Sequence, residues 1–144
     1  MKIQVIHSYD YRPETIFYGD GPRYFGVELE IDKGGEIGSN VEQILAVENQ
    51  KHDFYYCKHD GSLDDGFEIV SHPATAKYHL TQLPWKAIMA EAVSLGYRSH
   101  QACTCGLHIH ISRLAFGRTA AQQEAAIARL LYFVEKHWNE LLKF

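Results

Sequence analysis

Two short segments of the chain alternate apolar residues with residues that can bind a metal ion. The first is FGVELEID at residues 25–32, and the second is GLHIHIS at residues 106–112. Because successive side chains of a β-strand point to opposite faces, the acids of the first segment lie on one face of their strand, as do the two histidines on theirs. The pattern predicts a metal site built on a β-sheet, and its candidate residues are Glu28, Glu30, Asp32, His108 and His110.

The spacing of these side chains also leaves a purely structural interpretation open. Glu28 and Glu30 lie about 7 Å apart along a strand, as do His108 and His110, and each pair would suit an ordinary exposed strand face. Acids that face one cavity repel each other unless a cation or protons compensate their charge. Gly106, directly before the histidine strand, indicates that another group approaches the backbone closely.

A third acidic region lies between these segments. Asp64 and Asp65 are typical of a solvated turn, whereas Glu68 follows among apolar residues and needs a partner for its charge. The spacing of the acids excludes an EF-hand. The chain also lacks the glycine-rich signatures of common nucleotide sites and the Gly-x-Ser-x-Gly motif of serine hydrolases.

The cysteines do not form the pattern of a disulfide framework. They are three in number, and Cys103 and Cys105 form a Cys-x-Cys pair. We interpret them as reduced, which predicts a cytoplasmic location. A zinc site that joins this pair to His108 stays open as an alternative, although Cys-x-Cys is a poorer zinc motif than cysteines two to four residues apart.

The composition is that of an ordinary globular domain. The chain has 144 residues, of which 46% are hydrophobic and 22% charged, with a net charge of -4 and an isoelectric point near 6.1. We expect a single domain over residues 1–144. The acidic balance argues against a nucleic-acid surface. A membrane helix needs roughly 20 apolar residues, and no stretch of the sequence approaches that length.

The periodicity predicts an α+β fold, with a mainly antiparallel sheet that carries helices on one face and the site on the other. Strands are predicted over residues 3–7, 23–32, 54–57, 67–71 and 106–113. Helices are predicted over residues 41–50, capped by Ser39 or Asn40, over 75–95, with a break at Pro84, and over 120–142, opened by a capping box from Thr119 to Gln122.

The last predicted helix ends on apolar residues that need something to pack against: Trp138, Leu141, Leu142 and Phe144. We therefore expect the chain to be the N-terminal part of a longer catalytic domain. In that case residues 130–144 pack against a further C-terminal segment or against a second copy in a homo-oligomer.

Three segments of the chain, taken in order, resemble the amidoligase family. They cover residues 24–32, residues 58–73, which include KHDGSL and GFEIVSHP, and residues 104–112. This family belongs to the carboxylate–amine ligase superfamily, which includes glutamine synthetase and glutamate–cysteine ligase. The CGLHIH sequence at residues 105–110 is also similar to the Gly-x-His-x-His strand of glutamine synthetase.

The resemblance implies a glutamine synthetase-like catalytic half-domain and an ATP-dependent ligase. ATP would phosphorylate a small-molecule or peptide carboxylate, and an amine would attack the acyl phosphate to form an amide. By resemblance, Mg²⁺ or Mn²⁺ would be bound by Glu28, Glu30, Glu68 and His108. His108 and His110 would contact the nucleotide, with His110 near the phosphates, and Asp60 would lie at the substrate end and receive the amine.

Ligases of this kind use arginines to clamp the phosphates and the carboxylate. Arg113, Arg118 and Arg129 lie outside the three matched segments, and family members continue well beyond 144 residues. We therefore expect that these residues alone do not turn over substrate. Two other functions stay open, namely a non-catalytic interaction protein on the same scaffold and a zinc or other metal-binding module that uses the His-x-His strand.

Overall fold

A computed structural model describes residues 5–47 and 53–143 of the chain. These residues form two compact units, Met1–His110 and Ile111–Phe144, which are described separately below. The predicted strand over residues 3–7 and the predicted helix over residues 41–50 lie in part outside the described residues. Phe144 lies outside them as well.

The first unit is built on a five-stranded mixed sheet. Its central strands pair antiparallel, because β4 lies between β2 and β3 with Glu30 opposite Glu68 and Lys58 opposite Glu68. β1 joins the edge of β3 in parallel. The strand order is β1-β3-β4-β2-β5, with the bounds β1 Ile6–His7, β2 Phe25–Ile31, β3 Tyr55–Lys58, β4 Phe67–Ser71 and β5 Leu107–Ile111.

The histidine strand β5 forms the edge next to β2. The amide of Glu30 donates to the carbonyl of Gly106 at 3.2 Å, and the position of a side chain on Gly26 lies 3.7 Å from His110 Cβ. Glu30 thus pairs with Gly106 and Gly26 with His110. Because residue numbers fall along β2 as they rise along β5, the two strands are antiparallel, and Glu28 lies opposite His108. On the other side of β5, Leu107 and Ile109 are 59% and 57% exposed.

The apolar face of the sheet carries the core of the first unit. The helices α1 (Gly38–Ala46) and α3 (Trp85–Ser94) contact each other, and both contribute buried side chains to one cluster with the strands. Helices therefore cover one face of the sheet, as the alternation of apolar and polar residues predicted. The cluster includes Leu29, Ile31, Val41, Ile44, Tyr55, Cys57, Phe67, Ile69, Ile88 and Ala92.

Local signals placed most helix ends correctly. α2 (Ala76–Thr81) begins after Thr75, whose hydroxyl accepts from the amide of Tyr78, and α3 begins after Pro84, as the predicted break requires. The predicted cap of α1 was wrong. This helix begins at Gly38 after the extended residue Ile37, so Ser39 and Asn40 lie inside its first turn.

The second unit contains the long C-terminal helix. α4 (Ala120–Lys136) begins with the predicted capping box, because Thr119 Oγ1 accepts from the Gln122 amide while the Gln122 side chain accepts from the Thr119 amide. The helix does not continue unbroken to residue 142. It ends at Lys136, and after His137 a single turn, α5 (Trp138–Leu141), follows.

Apolar side chains of the second unit are exposed, among them Leu131 at 63%, Tyr132 at 64% and Leu142 at 65%. None of the helices in the described part of the chain is long and apolar enough to cross a membrane.

Candidate functional site

The pairing of the central strands lines up charged side chains on the polar face of the sheet. Glu30, Glu68 and Lys58 occupy opposed positions on β2, β4 and β3. Both acids are nearly buried, with exposures of 5% and 3%. Lys58 Nζ lies 2.9 Å from Glu68 Oε1. Lys58 is therefore the partner that the sequence analysis required for the charge of Glu68.

The histidines of β5 face the acids of β2. His110 Nε2 lies 3.1 Å from Glu28 Oε2, and His108 Nδ1 lies 3.3 Å from the same oxygen. His108 Nδ1 is also 3.7 Å from Glu30 Oε1. The backbone amide of Gly106 donates to Glu30 Oε2 at 2.6 Å, which accounts for the close backbone approach that this glycine indicated. Four of the predicted site residues, from two distant segments, therefore come together: Glu28, Glu30, His108 and His110.

The acids of this face differ in their electrostatic surroundings. Burial raises the pKa of Glu28, but hydrogen bonds and charge from His110 and His108 outweigh this and leave the pKa lowered. Burial also raises the pKa of Glu68, and there the lowering by Lys58 is not sufficient, since Glu28 and Asp60 add repulsion. Burial, together with the charges of Glu28 and Glu68, raises the pKa of Tyr56 to about 12. Such clustering of acids is the electrostatic condition that a bound cation relieves.

Asp60 lies at the mouth of the site, in the loop that precedes β4. Its Oδ1 accepts from the amide of Ser62 at 2.7 Å and from the Ser62 hydroxyl at 2.6 Å. These hydrogen bonds lower the pKa of Asp60, so its carboxylate is charged at neutral pH. Asp60 lines the same cavity as Glu28 and Glu68.

Asp32 does not belong to the site, although it continues the alternation of β2. Its side chain is fully buried, and its carboxylate accepts hydrogen bonds from the amides of Lys33, Asp64 and Asp65 and from the Thr104 hydroxyl. Its role is structural, because it ties the loop before β4 and the approach to β5 to the end of β2.

A cavity of about 410 Å³ lies over the acids, and the segment before β2 forms part of its wall. Tyr11 stacks on His7 at 3.6 Å between ring centroids and contacts Tyr56 edge-on at 5.7 Å. Lys58 Nζ lies 5.3 Å from the centre of the Tyr9 ring. The sequence patterns singled out no residue of this segment, so the position of Arg12 at the cavity was missed. The cavity is lined by Tyr9, Asp10, Tyr11, Arg12, Glu28, Tyr56, Lys58, Asp60, Glu68 and His108.

This face offers carboxylate oxygens, which suit Mg²⁺ or Mn²⁺, and imidazole nitrogens, which suit Zn²⁺ and other transition metals. Within residues 5–47 and 53–143, no group of three or more His, Cys, Asp or Glu side chains is arranged to hold a metal ion, neither around Glu28 and His108 nor around the cysteines. The thiol of Cys105 instead donates to the carbonyl of Arg98 at 3.7 Å. The described residues thus give no group that joins the cysteines to His108.

In comparisons with known proteins, no family model, no curated protein and no solved structure matches this chain. The polar face of the sheet therefore has to be interpreted from its own residues. The cavity on this face is lined by four carboxylates, one imidazole and two cationic side chains, namely Asp10, Glu28, Asp60, Glu68, His108, Arg12 and Lys58.

Proposed function

We propose that this chain carries the metal and nucleotide site of an ATP-dependent carboxylate–amine ligase of the amidoligase type, on a glutamine synthetase-like scaffold. In the reaction, a substrate carboxylate attacks the γ-phosphorus of ATP and releases ADP. An amine then attacks the carbonyl carbon of the acyl phosphate, so that an amide forms and inorganic phosphate leaves.

The observation that carries this proposal is the convergence of three segments on one cavity. Glu28 on β2, Glu68 on β4 and His108 on β5 line the same 410 Å³ space, although 80 residues separate the first from the last. These are the segments whose order and motifs resemble the amidoligase family. Glu30 and Glu68, which lie opposite each other on β2 and β4, are almost completely buried, and such burial is costly unless charge or hydrogen bonds compensate it.

The donor chemistry supports a divalent cation with ATP, for which Glu28, Glu30, Glu68 and His108 are the proposed ligands. When bound, the cation supplies charge neutralisation to the transferred phosphoryl group. His110 contacts Glu28 and so fixes the position of that carboxylate, as the Gly106 amide does for Glu30. Asp60, which lines the same cavity, is the proposed acceptor of the proton of an attacking amine.

The test is the binding of Mn²⁺ with a non-hydrolysable ATP analogue, followed by the paramagnetic resonance of the metal. We expect the wild-type chain to bind both ligands together and Glu28→Gln to weaken metal binding by about tenfold or more, because it removes a charged ligand. Glu42→Gln is the matched control, since Glu42 is exposed and lines none of the site.

The proposal is wrong if the wild-type chain fails to bind Mn²⁺ with the nucleotide analogue. It is equally wrong if Glu28→Gln binds the pair as tightly as Glu42→Gln.

A further inference from the structure

A second cavity, of about 290 Å³, adjoins the first on the polar face of the sheet. The two cavities share Arg12, Glu28 and Tyr56 as lining residues. Beyond this shared wall their chemistry differs, because Asp10, Asp60 and Glu68 line only the first. The second cavity is therefore the less acidic of the two, and of the proposed site residues Glu28 and His110 line it.

His72 gives the second cavity a fixed hydrogen-bond donor. The residue is only 3% exposed, and its Nδ1 accepts from the amide of Ile16 at 3.3 Å. With Nδ1 acting as an acceptor, the neutral ring carries its proton on Nε2. Burial lowers the pKa of His72, which keeps the ring neutral at pH 7.

The Nε2–H of His72 is available to a ligand. Across residues 5–47 and 53–143, the hydrogen bond from Ile16 is the one that the His72 side chain makes, and its ring lines the cavity. Among the described residues, His72 Nε2 is not one of the buried polar atoms left without a partner, so this atom is open to the cavity. A ligand oxygen in the cavity would supply an acceptor for it.

Arg12 provides the positive charge. Its side chain lines both cavities, and within the described part of the chain its guanidinium forms no salt bridge. A guanidinium presents a planar pair of donors that matches the two oxygens of a carboxylate. The apolar part of the lining consists of Val27, Val70 and the prolines Pro13 and Pro73.

We propose that the second cavity binds a small aliphatic carboxylic acid, whose carboxylate pairs with Arg12 and accepts from His72 Nε2. The volume of the cavity is at the low end of the range for small-molecule sites, which is about 300–1,000 Å³, so the aliphatic body is short. That this acid is the acyl substrate rests on the proposed ligase function, because the shared residues Arg12, Glu28 and Tyr56 would then adjoin both the acid and the nucleotide. The binding site itself does not depend on that function.

The direct test is a titration of the full chain, labelled with ¹⁵N-histidine, with butyrate as the probe. We expect a saturable shift of the His72 Nε2 signal. Butyramide, which has the same shape and no charge, should bind about tenfold more weakly or worse, since it cannot form the charged pair with Arg12. Inorganic phosphate serves as a second anion, and if it shifts the signal while butyrate does not, the cavity is not a carboxylate site.

Two pairs of variants assign the binding to the named residues. Arg12→Gln should weaken the affinity for butyrate by about tenfold or more. Arg23 is exposed and lines neither cavity, so Arg23→Gln should leave this affinity unchanged. His72→Asn retains an acceptor near Nδ1 for Ile16 but loses the donor at Nε2, so it should also weaken binding. His72→Gln restores a donor near Nε2 and should recover most of the affinity.

The outcomes separate this inference from the ligase proposal. Butyrate that binds equally well to Arg12→Gln and Arg23→Gln overturns the carboxylate site, even where Mn²⁺ and the ATP analogue bind as expected. Butyrate that binds through Arg12 and His72 in a chain that does not bind Mn²⁺ with the nucleotide supports the acid site and refutes the ligase.

Discussion

Replacement of Asp32 by asparagine tests how the structure holds its acidic loop in place. The buried carboxylate accepts from the amides of Lys33, Asp64 and Asp65 and from the Thr104 hydroxyl. Asparagine keeps the size of the side chain but replaces one acceptor oxygen with a donor and removes the charge. We expect Asp32→Asn to destabilise the fold while the surrounding packing stays nearly the same.

The magnitude follows from the pKa of Asp32. Burial raises this pKa, but the hydrogen bonds from Thr104 and from the three amides outweigh burial and lower it from 3.8 to about 2. At about 1.4 kcal/mol per pKa unit, the charged form stabilises the folded state by about 2 kcal/mol. Because the folded pKa lies below the unfolded value, this stabilisation is present above pH 3.8 and is lost as the pH falls through about 2.

The assay is urea unfolding of the wild-type chain and the variant, followed by far-ultraviolet circular dichroism at pH 7 and at pH 3. We expect the free energy of unfolding of Asp32→Asn to be about 2 kcal/mol lower at pH 7 and about half as much lower at pH 3. Asp20→Asn is the matched control, because Asp20 is exposed and its change should stay within about 0.5 kcal/mol.

Two results would refute this reasoning. One is a loss at pH 7 no larger than that of Asp20→Asn, which would mean that the four hydrogen bonds do not favour the charged carboxylate. The other is a loss that stays the same between pH 7 and pH 3, which would assign the destabilisation to packing rather than to the ionised group.

Two further substitutions test the framework of the site. Gly66→Ala should cost about 3 kcal/mol or more in urea unfolding, because its Cβ would lie 2.0 Å from the carbonyl oxygen of Ile31, whereas Gly61→Ala meets nothing within 4 Å and should stay within about 0.5 kcal/mol; equal effects would contradict the close approach. Lys58→Met should lower the free energy of unfolding by about 3 kcal/mol, because it leaves Glu68 buried without its partner. Combining it with Glu68→Leu should recover most of that loss. A double variant as unstable as Lys58→Met would show that the pairing is not the cause.

Alternation along the strands made part of the site predictable. In β2 and β5 the period of two separates acids and histidines from apolar residues over several positions, and strand geometry then requires each set to share a face. Glu28 and His108 could therefore be assigned to polar faces from the sequence. Their mutual contact could not, because it depends on β5 pairing with β2 across nearly 80 residues.

The missed residues lie where the sequence carries no period. Arg12 follows two tyrosines in a loop, and its position at the cavities depends on ring contacts between Tyr11, His7 and Tyr56. The role of Asp32 was misread because this residue continues the alternation of β2. Its carboxylate is enclosed by the amide of Lys33, a residue with a positive φ of 70°, and by the amides of Asp64 and Asp65 from the loop before β4.

The two adjoining cavities bear on how a ligase on this scaffold would have to work. A metal–nucleotide site needs carboxylates, whereas the carboxylate substrate needs positive charge and is repelled by the same acids. Placing Asp60 and Glu68 on one side of the wall, and His72 on the other, meets both requirements on a single sheet face. Arg12 borders both sides, so its charge can offset that of Glu28 where the two reactants would meet. Arg12→Gln is therefore expected to weaken binding of the carboxylic acid even though Glu28, Asp60 and Glu68 stay unchanged.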